Sequence, residues 1–190
     1  MNKQIILDGV DPDKARIQTA SGGQFHILDP RQDEINIEDI GHALSKMCRF
    51  TGHVRKFYSV AEHSVHASRI VPPQDALWAL MHDSSESYIA DMNRPLKHFT
   101  PVGPVYKEIE KKVMAAICEK FRLPEGQPES VTEADTALFY AEKEQLMPPM
   151  EWDTKWGVKE TPAKVQVRCW NSDIAKTVFL YRFYELTNQL

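Results

Sequence analysis

In the run Trp78-Ala79-Leu80-Met81-His82-Asp83-Ser84-Ser85-Glu86-Ser87-Tyr88-Ile89-Ala90-Asp91 an apolar stretch leads straight into His82, Asp83 and Glu86, with no turn residue between. Acids beside a core are costly to bury unless something compensates them. A divalent metal does so, because Asp⁻ and neutral His are good ligands. A His-Asp pair alone fits equally well at a solvated or hydrogen-bonded helix end, so the rest of the chain must decide. Val60, His63, Ala67 and Ile70 share one helical stripe, and Glu62, His66 and Arg69 share another. This places His63 inside and His66 in solvent. Val131, Ala134, Leu138 and Glu142 bracket Asp135, setting that acid on or beside an apolar stripe. In a first helical turn the same Asp would also complement the helix dipole. Arg49 and Phe50 stand side by side beyond another apolar stripe. They read either as a surface cation with its neighbour or as a phosphate fork beside an aromatic platform.

The elements that must position these residues are mostly helical. Pro72 and Pro73 precede the central run and Asn93 and Pro95 follow it. This predicts about 16 residues of continuous helix, with Ala79, His82, Asp83 and Glu86 on one face. Ile37, Ile40, Leu44 and Met47 form an earlier stripe, with Glu38 and Asp39 at its start and Gly52 as the breaker beyond it. Ser59 to Glu62 and Ser130 to Glu133 read as capping boxes. Asp91 to His98 reads as a polar loop. Pro104 opens a helix with Val105, Ile109, Val113, Ala116 and Ile117 inward and a solvated charged face that includes Glu110. Ser172 caps a last helix carrying Ile174, Val178, Tyr181 and Leu186. Ahead of these, Lys3 to Leu7 is a strand candidate. Residues 15–19 and 24–28 alternate about Gly22-Gly23 as a β-hairpin, with His26 on its polar face. Residues 147–171, with Trp152, Trp156 and a possible strand Val165 to Val167, read as a covering flap.

The 190 residues suit one domain, with residues 1–35 as a hairpin extension and 36–190 as a helical core. No apolar run approaches the length of a membrane span, and the N-terminal residues lack signal-peptide regions. Cys48, Cys118 and Cys169 are odd in number and widely spaced. They argue against a disulfide framework and for a reducing, cytoplasmic setting with the thiols packed as small apolar groups. A net charge of −4 argues against a broad nucleic-acid surface. No Gly-rich phosphate loop or nucleophile elbow is present.

Taken in order, His63, then His82-Asp83, then Asp135, the chain resembles the HD-domain phosphohydrolase superfamily, most closely its small 5′-deoxynucleotidase and phage dATP triphosphohydrolase branch. The likeness is carried by Cys48 to His53, Tyr58 to Ser64, Met81 to Glu86, Asp91 to Lys97 and Glu133 to Asp135, over about residues 37 to 147. The resemblance implies a mainly all-α HD-domain bundle in which His63, His82, Asp83 and Asp135 hold one divalent metal, Co²⁺, Mn²⁺, Zn²⁺, Fe²⁺ or Mg²⁺. It implies Glu86 as the catalytic acid that handles the proton of water. Arg49 and Lys97 are implied as phosphate-holding catalytic groups, and Phe50, Asp91 and Arg94 as substrate contacts. Phe50 stands where relatives often carry Trp. The implied substrate is a small-molecule deoxynucleotide, a dNMP or a dNTP such as dATP. The expected setting is a homo-oligomer with no membrane or nucleic-acid polymer as partner. The competing reading is a non-catalytic HD-fold module that senses a nucleotide. An intact Glu86 speaks against it, since a sensor needs no proton-transfer acid.

Overall fold

The computed structural model describes residues 10–149 and 161–189. The chain is mainly helical, with one small two-stranded antiparallel sheet near the N-terminus. Lys3 to Leu7, Trp152 and Trp156 lie outside the described residues. Among the described residues, no helix is long and apolar enough to cross a membrane. Contacts sort the chain into two compact units, Met1–Leu44 with Ser84–Leu123, and Ser45–Asp83 with Pro124–Leu190.

In the first unit, β1 (Arg16–Gln18) pairs with β2 (Gln24–His26), Ile17 opposite Phe25. The turn between them uses Gly22 at φ +87, a conformation that glycine adopts without cost. α1 (Ile37–Lys46) follows, beginning in this unit. Its first-turn Asp39 accepts hydrogen bonds of 2.7 Å from both the backbone N–H and the hydroxyl of Ser21, fastening the hairpin turn to the helix. Phe25 is buried and stacks on Tyr88, ring centroids 3.8 Å apart. His26 departs from the expected polar face. It is buried, with Nδ1 2.7 Å from Glu34 Oε1. A local carboxylate satisfies the ring, so alternation alone misassigns it.

α4 (Glu86–Ile89) is short, α5 (Arg94–Phe99) is capped by the Asn93 side chain, and α6 (Val102–Phe121) runs for 20 residues. The expected polar loop over residues 91–98 is therefore partly helix. Asn93 accepts the Leu96 N–H and Pro95 lies in the first turn, where its missing donor costs nothing. α5 and α6 approach closely because of Gly103. A Cβ there would collide with the Lys97 carbonyl oxygen. The face of α6 expected to be purely solvated is not so: Glu110 accepts from Lys97 Nζ at 2.6 Å. Gly103, Tyr106, Val113 and Ile117 form its buried side, while Val105 is exposed.

The second unit is organised on α2 (Val60–Ile70), buried from Val60 through Ser68. α3 (Ala76–Met81), α7 (Glu129–Leu146) and α8 (Ser172–Leu186) pack around it. Ser59 caps α2 as predicted, accepting the Glu62 N–H at 3.1 Å. The reciprocal half of the capping box is not made, because the Glu62 carboxylate goes elsewhere. It accepts the backbone N–H groups of Arg168, Cys169 and Trp170 at 2.6, 3.0 and 2.6 Å. His66, expected in solvent, is buried beneath this segment with its ring 5.6 Å from that of Trp170. Deleting the Glu62 carboxylate strands three backbone donors together. Glu62→Ala is expected to cost about 3 kcal/mol of stability, read as a lowered urea midpoint with unchanged slope. A midpoint equal to wild type would show that water replaces the carboxylate without penalty.

Other local readings shift in explicable ways. α7 starts at Glu129 after Pro128, and Ser130 donates to Asp75 at 2.6 Å instead of capping its own helix. α8 is capped by Asn171, one residue before the expected Ser172. Its buried residues are Ala175, Phe179 and Phe183, while Ile174 and Tyr181 face outward. The possible strand at Val165 to Val167 is not a strand. The Gln145 side chain stands in for a neighbouring strand, donating to the Val165 carbonyl and accepting from the Val167 N–H.

Candidate metal centre

The predicted central helix is interrupted where it matters. Regular helix ends at Met81, a turn runs through residues 82–85, and α4 begins at Glu86. His82 Nδ1 donates to the Ala79 carbonyl at 2.7 Å, occupying the acceptor that the next helical N–H would use. Ser87 likewise donates to the Ser84 carbonyl. Such short-range bonds compete with continued helix. Ala79, His82, Asp83 and Glu86 are thus not one face of one helix.

α2, α3 and α7, all of the second unit, bring four predicted residues together. His63 is fully buried on α2 and its Nε2 lies 3.2 Å from His82 Nε2. Asp83 Oδ2 is 3.2 Å from His82 Nε2 and 3.6 Å from His63 Nε2. Asp135 Oδ1, from the second turn of α7, lies 3.1 Å from His63 Nε2 and 3.9 Å from His82 Nε2. Each ring spends its other nitrogen elsewhere: His63 Nδ1 donates to Glu142 Oε1 at 2.6 Å, and His82 Nδ1 to Ala79. With their Nδ1 atoms committed, both rings turn Nε2 toward two carboxylates, a donor set that suits a cation in place of the Nε2 protons. His63, His82 and Asp83 form a tight group that could hold a metal ion, their ligand atoms all within 4.8 Å of one another. The Asp135 side chain is 44% exposed and opens the cluster to solvent.

Protonation follows the same electrostatics. Burial and the Arg49 charge oppose a proton on His63, but Glu142 and Asp135 outweigh them and lift the imidazole to about 9. His82 is raised against its burial by Asp83. Burial pushes Asp83 upward, yet His82, His63 and Arg49 hold it well below the usual carboxylate range. Asp135 is lowered against its burial, chiefly by His63, to about 2. The carboxylates are therefore charged at neutral pH.

Arg49 also belongs here. It precedes a tight turn in which Phe50, Thr51 and Gly52 take φ of 55, 54 and 79. Two successive non-glycine residues in the left-handed region are the kind of strained geometry that collects beside functional sites. A backbone bridge ties the start of the turn down, with Arg49 N–H donating to Tyr58 O and Val60 N–H to Met47 O. The Arg49 guanidinium reaches Glu142 Oε2 through Nε at 3.1 Å and lies 3.5 Å from Asp83 through Nη1. Burial works against that charge, but Glu142, Asp83 and Asp135 hold it in place. The Phe50 ring sits under the guanidinium, 5.6 Å away, and beside Phe139.

The remaining predicted residues, Glu86, Asp91, Arg94 and Lys97, belong to the first unit. Glu86 is buried at the start of α4, and Arg94 is exposed at the start of α5. Asp91 is half-buried between them. Lys97 pairs with Glu110 and lies 5.5 Å over the Tyr106 ring. Glu142 received no role from the sequence, although it lies seven residues after Asp135 on the same α7 stripe and is fully buried. Cys48, Cys118 and Cys169 are free and half-buried.

Fold and site together define a mainly helical protein with an internal His-His-Asp group able to hold a metal ion. The chain belongs to the family of the uncharacterized protein YfdR of Escherichia coli (strain K12). It is 42% identical to that protein over 130 residues, covering 68% of this chain and 71% of YfdR. It is also 34% identical over 139 residues to an uncharacterized protein of Rhodobacter capsulatus, covering 66% of this chain and 70% of that protein. No protein-family model matches the chain.

Proposed function

We propose that this chain is a metal-dependent nucleotide phosphohydrolase of the HD-domain kind, acting on deoxynucleotides. One observation carries the reading: the Nε2 atoms of His63 and His82 converge with Asp83 Oδ2 and Asp135 Oδ1, beside the half-buried guanidinium of Arg49. His63, His82, Asp83 and Asp135 would hold one divalent ion. When bound, such an ion supplies Lewis acidity toward a phosphoryl oxygen and acidity toward water. Arg49 and Lys97 offset charge on the phosphate oxygens, as preorganised cations do where charge develops. Lys97 must first exchange its Glu110 partner for phosphate. Glu86, three residues after Asp83 in the chain, takes the proton of the attacking water and passes one to the leaving oxygen. Phe50 offers a ring to the nucleoside, with Asp91 and Arg94 as further substrate contacts. The same reading expects a homo-oligomer, checked by light scattering.

Either a dNMP loses its phosphate or a dNTP loses its triphosphate. The deciding experiment is a panel of dNMPs, NMPs and dNTPs with Mn²⁺, Co²⁺ or Mg²⁺, scoring phosphate against triphosphate release. Metal-dependent release from deoxynucleotides is the expected result. Nucleotide binding without turnover under every metal would make the protein a sensor instead.

A further inference from the structure

We propose that Glu142 is the positioning residue of this centre, one buried carboxylate that sets both a cation ligand, His63, and the phosphate-facing guanidinium of Arg49. The inference rests on the reading of the centre given above. Glu142 is 0% exposed and takes donors from three separate places in the chain. Oε1 accepts from His63 Nδ1 at 2.6 Å and from the Tyr58 hydroxyl at 2.7 Å, while Oε2 accepts from Arg49 Nε at 3.1 Å. An ionised carboxylate only accepts, so a proton is fixed on His63 Nδ1, and Nε2, which faces Asp83 and Asp135, is the nitrogen left to ligate a cation. Through the other oxygen the guanidinium is fixed at Nε, leaving Nη1 near Asp83. Outer partners of this kind orient metal-ligating imidazoles. Here the same group also grips the arginine, so ion affinity and phosphate affinity share a single support. Tyr58 is the third donor, touching Glu142 without carrying either function.

Glutamine at 142 keeps the shape but carries two N–H donors, so it must face at least one of the three existing donors with a donor of its own. Glu142→Gln is expected to weaken Mn²⁺ binding, measured by titration calorimetry, about 10- to 100-fold. At saturating Mn²⁺ its nucleotide KM should rise about tenfold, as the loss of one charged hydrogen bond implies, with a smaller change in kcat. Tyr58→Phe removes the third donor and should leave both Mn²⁺ affinity and KM within about threefold of wild type. A Glu142→Gln protein with wild-type Mn²⁺ affinity and KM but lowered melting temperature would overturn the proposal and leave Glu142 a structural ion-pair partner. If that variant does not fold, ¹⁵N NMR of the Zn²⁺-loaded wild type decides. The His63 proton must sit on Nδ1, and a proton-free Nδ1 overturns the proposal. Wild-type protein that binds neither Mn²⁺ nor nucleotide would instead sink the underlying reading of the centre.

Discussion

Asp83→Ala is expected to yield a folded protein that takes up no Mn²⁺ and releases no phosphate from any nucleotide. Asp83 Oδ2 is the anion of the tight three-residue group, within 3.6 Å of both Nε2 atoms. Its side chain is 19% exposed, so alanine leaves a space that water can enter and not a dry cavity. Circular dichroism should therefore match wild type. Loss of a direct ligand should exceed the 10- to 100-fold loss typical of an outer-shell partner. Several kcal/mol of Lewis-acid stabilisation is roughly a thousandfold in rate. Equilibrium dialysis with metal analysis, followed by phosphate release, tests both halves. A variant that keeps its ion and its turnover ends the assignment of this cluster.

Glu86→Gln is expected to do the opposite to the ion and the same to the rate. Glu86 is not one of the four residues assigned to the ion, so Mn²⁺ binding should stay at the wild-type value. Glutamine is close to isosteric and cannot take a proton, so kcat should fall about 10²- to 10⁴-fold, with KM little changed. Measured together, the two substitutions separate holding the ion from moving the proton. An unchanged kcat in Glu86→Gln would leave the carboxylate with no part in the reaction.

The sequence made His63 legible because helical periodicity separates an apolar stripe from a polar one, and made His82 and Asp83 legible because they follow an apolar run directly. Asp135 was legible only through its order after them, since an acid in a first turn has an ordinary electrostatic reason to be there. Glu142 was not legible. It stood on the apolar stripe without a role, because its three donors come from residues 49, 58 and 63, far away in the chain. Glu62 and His66 were misjudged for the same reason, because the segment that covers them arrives more than a hundred residues later in the chain. The broken helix at residues 82–85 followed from a histidine taking its own helix's carbonyl, which propensity does not register. On α8 two apolar stripes compete, and only packing on α2 and α3 selects Phe179 and Phe183 over Ile174 and Tyr181.

The three backbone donors that meet Glu62 have a consequence for the nascent chain. Glu62 leaves the ribosome 106 residues ahead of Arg168, the first of them. At ordinary translation speeds that interval is roughly 5 to 20 s. Residues 84–123, which belong to the other unit, are synthesised within it. Throughout that time the carboxylate must remain hydrated, so the outward side of α2 cannot dry. His63 is the very next residue, so the helix that carries it gains its cover over Glu62 only late in biosynthesis.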